Sequence, residues 1–200
     1  GENSTGIYFK NGSSTTGGGV TNSGKIESIV NNVIAMTFDT GSNTKTFKND
    51  TAGEINLTGD NSTAMYATGV GTYTAENAGK ITLGNSANAN NPNVAMFTDK
   101  SQITLKNNGK ITAGNKAVGL YGYTADTGSS SDINVGQGGT GIYSKGGNVT
   151  LNGKMTVGSS DAVGVYSVGF GQTITNNATN INIGDGSYGF VNKQTAGGNT

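Results

Sequence analysis

Hydrophobic and polar residues follow one repeated phrase along most of the chain. Residues 109–121 read GKITAGNKAVGLY, two short segments of alternating apolar and small or polar residues separated by a Gly-Asn turn. Alternation with a period of two predicts β-strands, because successive strand side chains point to opposite faces. Related phrases occur at 6–8, 23–38, 52–66, 78–97, 132–143, 152–166 and 180–190. The chain is therefore predicted to be a repeat array of short strands.

The spacing of the repeats predicts how many strands form one coil. The central apolar residues of the first segment, spaced 22 to 30 residues apart, are Ile26, Ile55, Ile81, Ile111, Ile133, Met155 and Ile181. This spacing is too long for hexapeptide or nonapeptide coils but accommodates three short strands. Third strands are predicted at 44–47, 71–74, 102–105, 148–151 and 172–175, with a weakly marked one near Tyr123.

These elements predict an all-β fold, a parallel β-helix (solenoid) in which each coil, or rung, contains three short strands. Strands that recur in one direction without crossover helices do not form a doubly wound sheet. They stack as successive rungs instead, each ~4.8 Å above the last. Residues 1–200 are expected to form one β-helix segment of about eight rungs, a rod roughly 40 Å long.

The alternation also predicts which side chains face the interior of the coil. On one wall these are Ile55, Leu57, Ile81, Leu83, Ile133, Val135, Met155, Val157, Ile181 and Ile183, and on a second Val94, Met96, Val118, Leu120, Val163 and Val165. Asn108, Asn152 and Asn177 precede the first strand of their repeats, where we expect stacked, hydrogen-bonded amides. Each rung buries few side chains, so stability is expected to come from rung-to-rung stacking.

Composition limits the chemistry that the chain can perform. Apolar residues make up 32%, and the 12 basic residues balance the 12 acidic ones. Balanced charge gives no electrostatic basis for nucleic-acid binding. The absence of Cys, His and Arg excludes disulfides, a Ser-His-Asp triad and a His-bearing zinc site. We therefore expect a non-enzymatic protein without a cofactor or metal, and the chain is interpreted as a piece of a longer polypeptide.

The phrase GKIT(L/V)G…AVG(L/V)Y resembles the passenger region of type V autotransporters of Gram-negative bacteria. It is most similar to the fusobacterial outer-membrane adhesins, and the resemblance covers residues 6–191. It implies a right-handed parallel β-helix that is secreted and displayed at the cell surface. Attachment to the outer membrane would then use a C-terminal β-barrel that this sequence does not contain. The implied function is cell adhesion, a virulence trait, through a protein or glycan receptor on host cells or other bacteria.

Aromatic residues at the end of the second segment are the candidate ligand-binding residues. Outward-pointing rings on successive rungs would form a ladder with a large contact area for sugars or proteins. The candidates are Tyr66, Phe97, Tyr121, Tyr143 and Tyr166, with Tyr8 as an earlier member of the series. The alternative is a self-stacking ladder that stiffens the rod, and a shift of one residue in the alternation would bury the rings.

Three other features of the sequence are compatible with binding or catalysis. Asp60, Asp161 and Asp185 fall in equivalent turns, where carboxylates on adjacent rungs would suit a polysaccharide hydrolase or lyase, or Ca²⁺. Aspartate is also an ordinary turn residue, so a carbohydrate-active β-helix is the alternative function.

Residues 84–93 form an enlarged turn, which suits either ligand binding or mere variation in turn length. One position before the first strand is charged in most repeats and is interpreted as a solvated face: Lys25, Glu54, Lys80, Lys110, Asp132 and Lys154.

Overall fold

The computed structural model describes residues 1–11, 18–41 and 46–195, which form 22 β-strands. Sheet A contains β1 (Thr5–Asn11), β4 (Ile34–Thr40), β7 (Thr63–Thr68), β10 (Val94–Thr98), β13 (Val118–Gly122), β16 (Thr140–Ser144), β19 (Val163–Gly169) and β22 (Tyr188–Gln194). Sheet B contains β2 (Gly19–Asn22), β5 (Thr46–Asn49), β8 (Tyr73–Asn77), β11 (Ile103–Asn107), β14 (Thr124–Thr127), β17 (Val149–Leu151) and β20 (Ile174–Asn176). Sheet C contains β3 (Lys25–Ser28), β6 (Glu54–Leu57), β9 (Lys80–Leu83), β12 (Lys110–Ala113), β15 (Asp132–Val135), β18 (Lys154–Val157) and β21 (Asn180–Ile183).

The strands form a β-solenoid, which confirms the predicted fold class. The chain visits sheets A, B and C in turn, and each strand pairs in parallel with the equivalent strand of the next rung. Seven complete rungs result, rungs 1 to 7, and β22 adds an eighth strand to sheet A. The prediction was about eight rungs, one more than the complete rungs of the described residues. No helix of the described ranges is long and apolar enough to cross a membrane.

Sheet C shows why the repeat phrase specifies this fold. Its register places the seven central apolar residues in one vertical column, from Ile26 through Ile111 to Ile181. Ile81, Ile111 and Ile133 are fully buried. A one-residue slip would turn the whole column towards solvent, so burial fixes the register.

Burial is complete in the middle of the rod and decreases at its C-terminal edge. Met96, Leu120 and Val165 are buried on sheet A, as the alternation predicts. Ile183 of β21 is 49% exposed and Phe190 of β22 is 41% exposed, although both occupy inward columns. These two side chains lack a following rung among the described residues, so they pack on one side only.

The third strands exist but begin later than predicted. The predicted strand at 71–74 is β8, Tyr73–Asn77, and the predicted strand at 102–105 is β11, Ile103–Asn107. The weakly marked strand near Tyr123 is β14, Thr124–Thr127. The predicted strand at 44–47 lies partly outside the described residues, which include it from Thr46. Sheet B strands extend towards polar residues that the apolar pattern does not mark.

One such polar position forms a buried ladder of asparagine amides inside rungs 1 to 4. The Nδ2 of Asn22 donates to Oδ1 of Asn49 at 2.8 Å, and Asn49 donates in the same way to Asn77 at 2.8 Å. Asn77 donates to Oδ1 of Asn107 at 2.7 Å, and Asn107 donates to the hydroxyl of Ser131 at 2.7 Å. Each amide thus satisfies its neighbour in a dry interior, where an unpaired polar group is costly.

The prediction of an amide ladder was right in kind but wrong in its members. Asn108 instead donates to Oε1 of Glu76 at 2.7 Å, and Asn152 contacts Thr127 of the preceding rung. Asn177 is exposed. The cause is parity: β11 ends on Asn107, so the inward position falls one residue before the predicted one.

Candidate functional site

The predicted aromatic residues occupy one outward column on sheet A. Register places Tyr66, Phe97, Tyr121, Tyr143 and Tyr166 directly above one another on rungs 3 to 7. All five rings are half-buried, whereas the residue before each of them is buried in the interior. The rings therefore point outward, as the alternation predicts. Whether they bind a ligand stays a prediction.

The five rings form a continuous column of ring contacts, in which Tyr121 is tilted by 49° relative to Phe97. Ring centroids are 5.2 Å apart between Tyr66 and Phe97, and 5.4 Å between Phe97 and Tyr121. They are 4.7 Å apart between Tyr121 and Tyr143, and 5.3 Å between Tyr143 and Tyr166. The last two pairs are almost parallel, with interplanar angles of 5° and 12°. These distances match the strand spacing, so the backbone ladder itself brings the rings into contact.

Stacking determines what these rings offer to a partner. A ring with nearly parallel neighbours, such as Tyr143, has both faces covered, so mainly its edge and its hydroxyl group reach solvent. A stacked pair contributes ~0.5–1.5 kcal/mol beyond its buried area. This geometry supports the alternative that rungs 3 to 7 carry a stiffening ladder, and it leaves few free ring faces for a sugar.

Lys145 and Tyr123 extend this surface and were missed by sequence reasoning. The Lys145 Nζ lies 5.9 Å from the centroid of the Tyr121 ring and 5.6 Å from that of Tyr123. An ammonium at this distance is attracted by the ring quadrupole. The signal was present in the sequence, since Tyr123 and Lys145 each follow a ladder ring by two residues and alternation places them outward.

The ladder perturbs one of its own hydroxyl groups. The pKa of Tyr143 is raised above its ordinary value, mainly because partial burial disfavours the phenolate. The neighbouring phenol groups of Tyr121 and Tyr166 raise it further. The middle of the stack is therefore shielded from water more than a free surface tyrosine is.

The aromatic column is interrupted on rung 2, where Thr37 stands between Tyr8 and Tyr66. Sequence reasoning placed Tyr8 in the series but did not recognise that a threonine separates it from the rest. The interruption opens a groove of about 450 Å³. Its lining consists of Tyr8, Thr37, Asp39, Tyr66, Thr68, Gly69, Val70 and Lys100.

Polar groups beside the groove are held by hydrogen bonds and an ion pair. The Thr68 hydroxyl donates to Oδ1 of Asp99 at 2.9 Å, and the Lys100 Nζ lies 2.9 Å from Oδ2 of the same carboxylate. Partial burial alone would raise the pKa of Asp99, but hydrogen bonds from Lys100 and Thr68 outweigh it and lower that pKa. Thr68 and Lys100 are therefore held at the edge of the groove by Asp99.

The backbone of the groove is supported from the interior. The buried Tyr73 hydroxyl lies 2.9 Å from the carbonyl oxygen of Thr68 and 3.0 Å from that of Phe38. Burial strongly raises the pKa of Tyr73, so this phenol stays protonated as a donor. At Gly69, whose φ is +98°, an added Cβ would lie 2.3 Å from the Thr40 carbonyl oxygen. Glycine is therefore required where the rim turns away from β7.

The aspartates of the alternative carbohydrate-active hypothesis occupy turns between sheets C and A. The turns with Asp161 and Asp185 are stacked, since Ser160 N donates to Asp185 O and Asp161 N to Gly186 O, both at 2.9 Å. The Asp60 carboxylate accepts a hydrogen bond from Ala87 N at 3.0 Å. Across the described ranges, no group of three or more His, Cys, Asp or Glu residues is arranged to hold a metal ion.

The enlarged turn at 84–93 is fastened to both adjacent rungs. Ser86 N donates to the carbonyl oxygen of Asn115 at 2.8 Å, while Ala87 N reaches Asp60 on the other side. Asn93 is fully buried, and its Nδ2 donates to the carbonyl oxygens of Gly84 and Asn85. The turn is thus part of the stacked structure, although Asn85 and residues 87–91 are exposed.

The charged position of the first segment forms an outward column on sheet C, running from Lys25 through Glu54 and Lys80 to Lys154. The Lys110 Nζ lies 3.6 Å from Oδ2 of Asp132 on the next rung. Ion pairs this exposed contribute little stability. The column matches the predicted solvated face.

Comparisons with known proteins identify no relative. No protein-family model matches the chain, and neither a curated protein nor a solved structure is significantly similar to it.

Proposed function

We propose that this chain is a segment of a surface-displayed bacterial adhesin passenger, which binds host cells or partner bacteria and acts as a rigid stalk. The observation that carries the proposal is the uninterrupted seven-rung solenoid with its outward columns. Its repeats supply the resemblance to autotransporter passengers. A rod suits display because it extends away from its attachment point while presenting a long flank.

The outward columns support an adhesive flank in particular. Rungs 3 to 7 repeat an aromatic side chain at strand spacing, from Tyr66 to Tyr166. Weak contacts repeated along one rod act together, because the second contact forms at a high effective concentration. The proposed partner is a protein or glycan receptor on a cell surface.

Bead binding tests the proposal. The purified chain is coupled to beads and mixed with bacteria, host cells and immobilised glycans. Saturable binding above that of beads with an unrelated β-solenoid is expected. Binding no greater than that of the control beads would reduce the proposal to a stalk without adhesive activity.

Within this proposal the segment acts without catalysis, and the carbohydrate-active alternative has a separate test. The chain is incubated with a panel of bacterial and host polysaccharides, and new reducing ends are measured. We expect none. Release of oligosaccharide that is abolished by Asp161→Asn or Asp185→Asn would replace the adhesin proposal with an enzymatic one.

A further inference from the structure

We propose that the groove between Tyr8 and Tyr66 binds a single pyranose ring of a glycan, with Thr37 as its floor. This inference rests on the proposed adhesive function and names the class of ligand and the place where it binds. It follows from the one rung in which the aromatic column has no ring.

The spacing of the two rings is set by the backbone. Tyr8 is paired with Thr37, and Thr37 with Tyr66, so the two tyrosines stand two strand spacings apart on the same column. Two spacings amount to about 10 Å. Both tyrosines line the same cavity of about 450 Å³, within the range of small-molecule sites.

The groove offers aromatic faces that the ladder above it does not. Tyr66 stacks on Phe97 with one face, and the opposite face looks towards rung 2. Tyr8 is 58% exposed, and its ring contacts no other ring in the described part of the chain. Thr37 is buried at the bottom, so a ligand reaching it would lie between the two tyrosines.

The width of the groove suits one six-membered ring. In the ladder, Phe97 occupies the same two-spacing gap between Tyr66 and Tyr121, at centroid distances of 5.2 and 5.4 Å. Carbon atoms in contact are separated by about 3.5–4 Å, so a ring in contact with both tyrosines needs about 7–8 Å, to which the chair of a pyranose adds its pucker. A pyranose in the groove therefore presents C–H groups to both tyrosine faces, and the polar rim distinguishes it from an apolar ring.

The rim supplies the polar complement that a sugar requires. Asp39, Thr68 and Lys100 line the groove beside the rings. The Asp39 carboxylate accepts hydrogen bonds from sugar hydroxyl groups, and the Lys100 ammonium donates to them. Thr68 donates its own proton to Asp99, so its oxygen remains available as an acceptor. Apolar faces with a few polar groups around them are typical of a small-ligand site.

Saturation-transfer NMR with methyl α- and β-pyranosides of neutral hexoses and N-acetylhexosamines tests the site. We expect transfer to the ring C–H protons of at least one glycoside, with saturable binding in the millimolar range. Thr37→Tyr fills the gap with a ring and should abolish the signal while leaving the fold intact by circular dichroism. The matched control is Thr112→Tyr, which adds the same ring to the outward face of sheet C and should bind as the parent does.

Two results would overturn the inference. One is the absence of saturable binding for every pyranoside tested. The other is binding that Thr37→Tyr leaves unchanged, because the sugar would then lie elsewhere. Loss of binding in Thr37→Tyr but not in Thr112→Tyr supports the site.

The bead assay separates this inference from the proposed function. Cell binding that is lost after periodate treatment of the cells and in Thr37→Tyr supports both. Cell binding that survives periodate but not protease treatment, with no pyranoside bound, overturns the sugar site and leaves an adhesin that recognises protein. Pyranoside binding without any cell binding supports the site and contradicts the adhesive function.

Discussion

The outward aromatic column behaves differently at its two ends. On rungs 3 to 7 every rung contributes a ring, and the stack from Tyr66 to Tyr166 is closed. On rungs 1 to 3 the same column reads Tyr8, Thr37 and Tyr66, and a groove opens over the threonine. One missing ring therefore converts a structural ladder into a recess with free aromatic faces.

Inside the coil the large rings lie in the first rungs, and the later rungs have small residues at the same position. Near the groove the inward side of the coil contains large rings, since Phe38 stacks on Phe9 at 4.9 Å and on Phe47 at 5.2 Å. In the later rungs the position of Phe38 is occupied by Thr98, Gly122, Ser144 and Ser167. The asparagine ladder is likewise confined to rungs 1 to 4, and Thr127 and Leu151 continue its column. Interior rings and the asparagine ladder thus stabilise the first rungs, whereas the outward aromatic stack contributes to the stability of the later rungs.

Breaking the asparagine ladder is expected to have the largest effect. Asn77→Ala removes the partner of the Oδ1 of Asn107 and of one N–H of the Asn49 amide, whose other N–H still donates to the carbonyl oxygen of Gly53. At ~1–3 kcal/mol for each orphaned group, the free energy of unfolding should fall by about 2–6 kcal/mol. Asn176→Ala, at the exposed end of the same column, should cost only about 0.5–1.5 kcal/mol. Chemical denaturation measures both, and equal losses would show that the ladder adds no special stability.

Removing one ring from the stack on rungs 3 to 7 is expected to have the second largest effect on stability. Tyr143→Ala loses stacking on Tyr121 and Tyr166 together with half-buried apolar area, and should cost about 2–4 kcal/mol. Tyr8→Ala has no ring partner to lose and should stay within about 0.5 kcal/mol of the parent. If the two variants unfold at the same temperature, the distinction between closed and open stretches is wrong.

Adding the missing ring should stabilise the protein. Thr37→Tyr would join Tyr8 and Tyr66 in one stack and raise the free energy of unfolding by about 1–2 kcal/mol. Thr37→Val keeps the gap and supplies the control, for which we expect no comparable gain. A destabilised but folded Thr37→Tyr would mean that the groove does not have the width of a ring.

Alkaline pH should have the smallest effect on the stability of the fold. Burial raises the pKa of Tyr73 strongly and that of Tyr143 less, so above about pH 10 the unfolded chain loses these protons before the folded chain does. Stability should therefore be constant below that pH and decline as pH rises beyond it. Denaturation midpoints should decline less steeply in Tyr73→Phe than in Tyr143→Phe, and the reverse order would contradict the assignment.

The sequence alone was sufficient to predict the fold and most members of the aromatic column. The central column from Ile26 to Ile181 and the outward rings follow from a period of two inside a recurring phrase. A buried isoleucine cannot change faces without exposing itself, so pattern and register support each other.

The groove was less predictable because its lining comes from distant segments. Thr37 belongs to a poorly conforming repeat, in which four successive residues from Ala35 to Phe38 are buried and the alternation does not show which face Thr37 occupies. Gly69, Val70 and Lys100 lie in or beside turns of later rungs, and their position depends on how those turns stack. The members of the asparagine ladder were predicted wrongly because a shift of one residue in the alternation exchanges Asn107 for Asn108.

The most direct test is a two-dimensional NMR titration of the isotopically labelled protein with the pyranoside that gives the strongest saturation transfer. The account predicts progressive shifts confined to Tyr8, Thr37, Asp39, Tyr66 and their neighbours, with the rings of Tyr121 to Tyr166 unchanged. Shifts centred on the closed stretch, with none at Thr37, would contradict it and place recognition on the ladder itself.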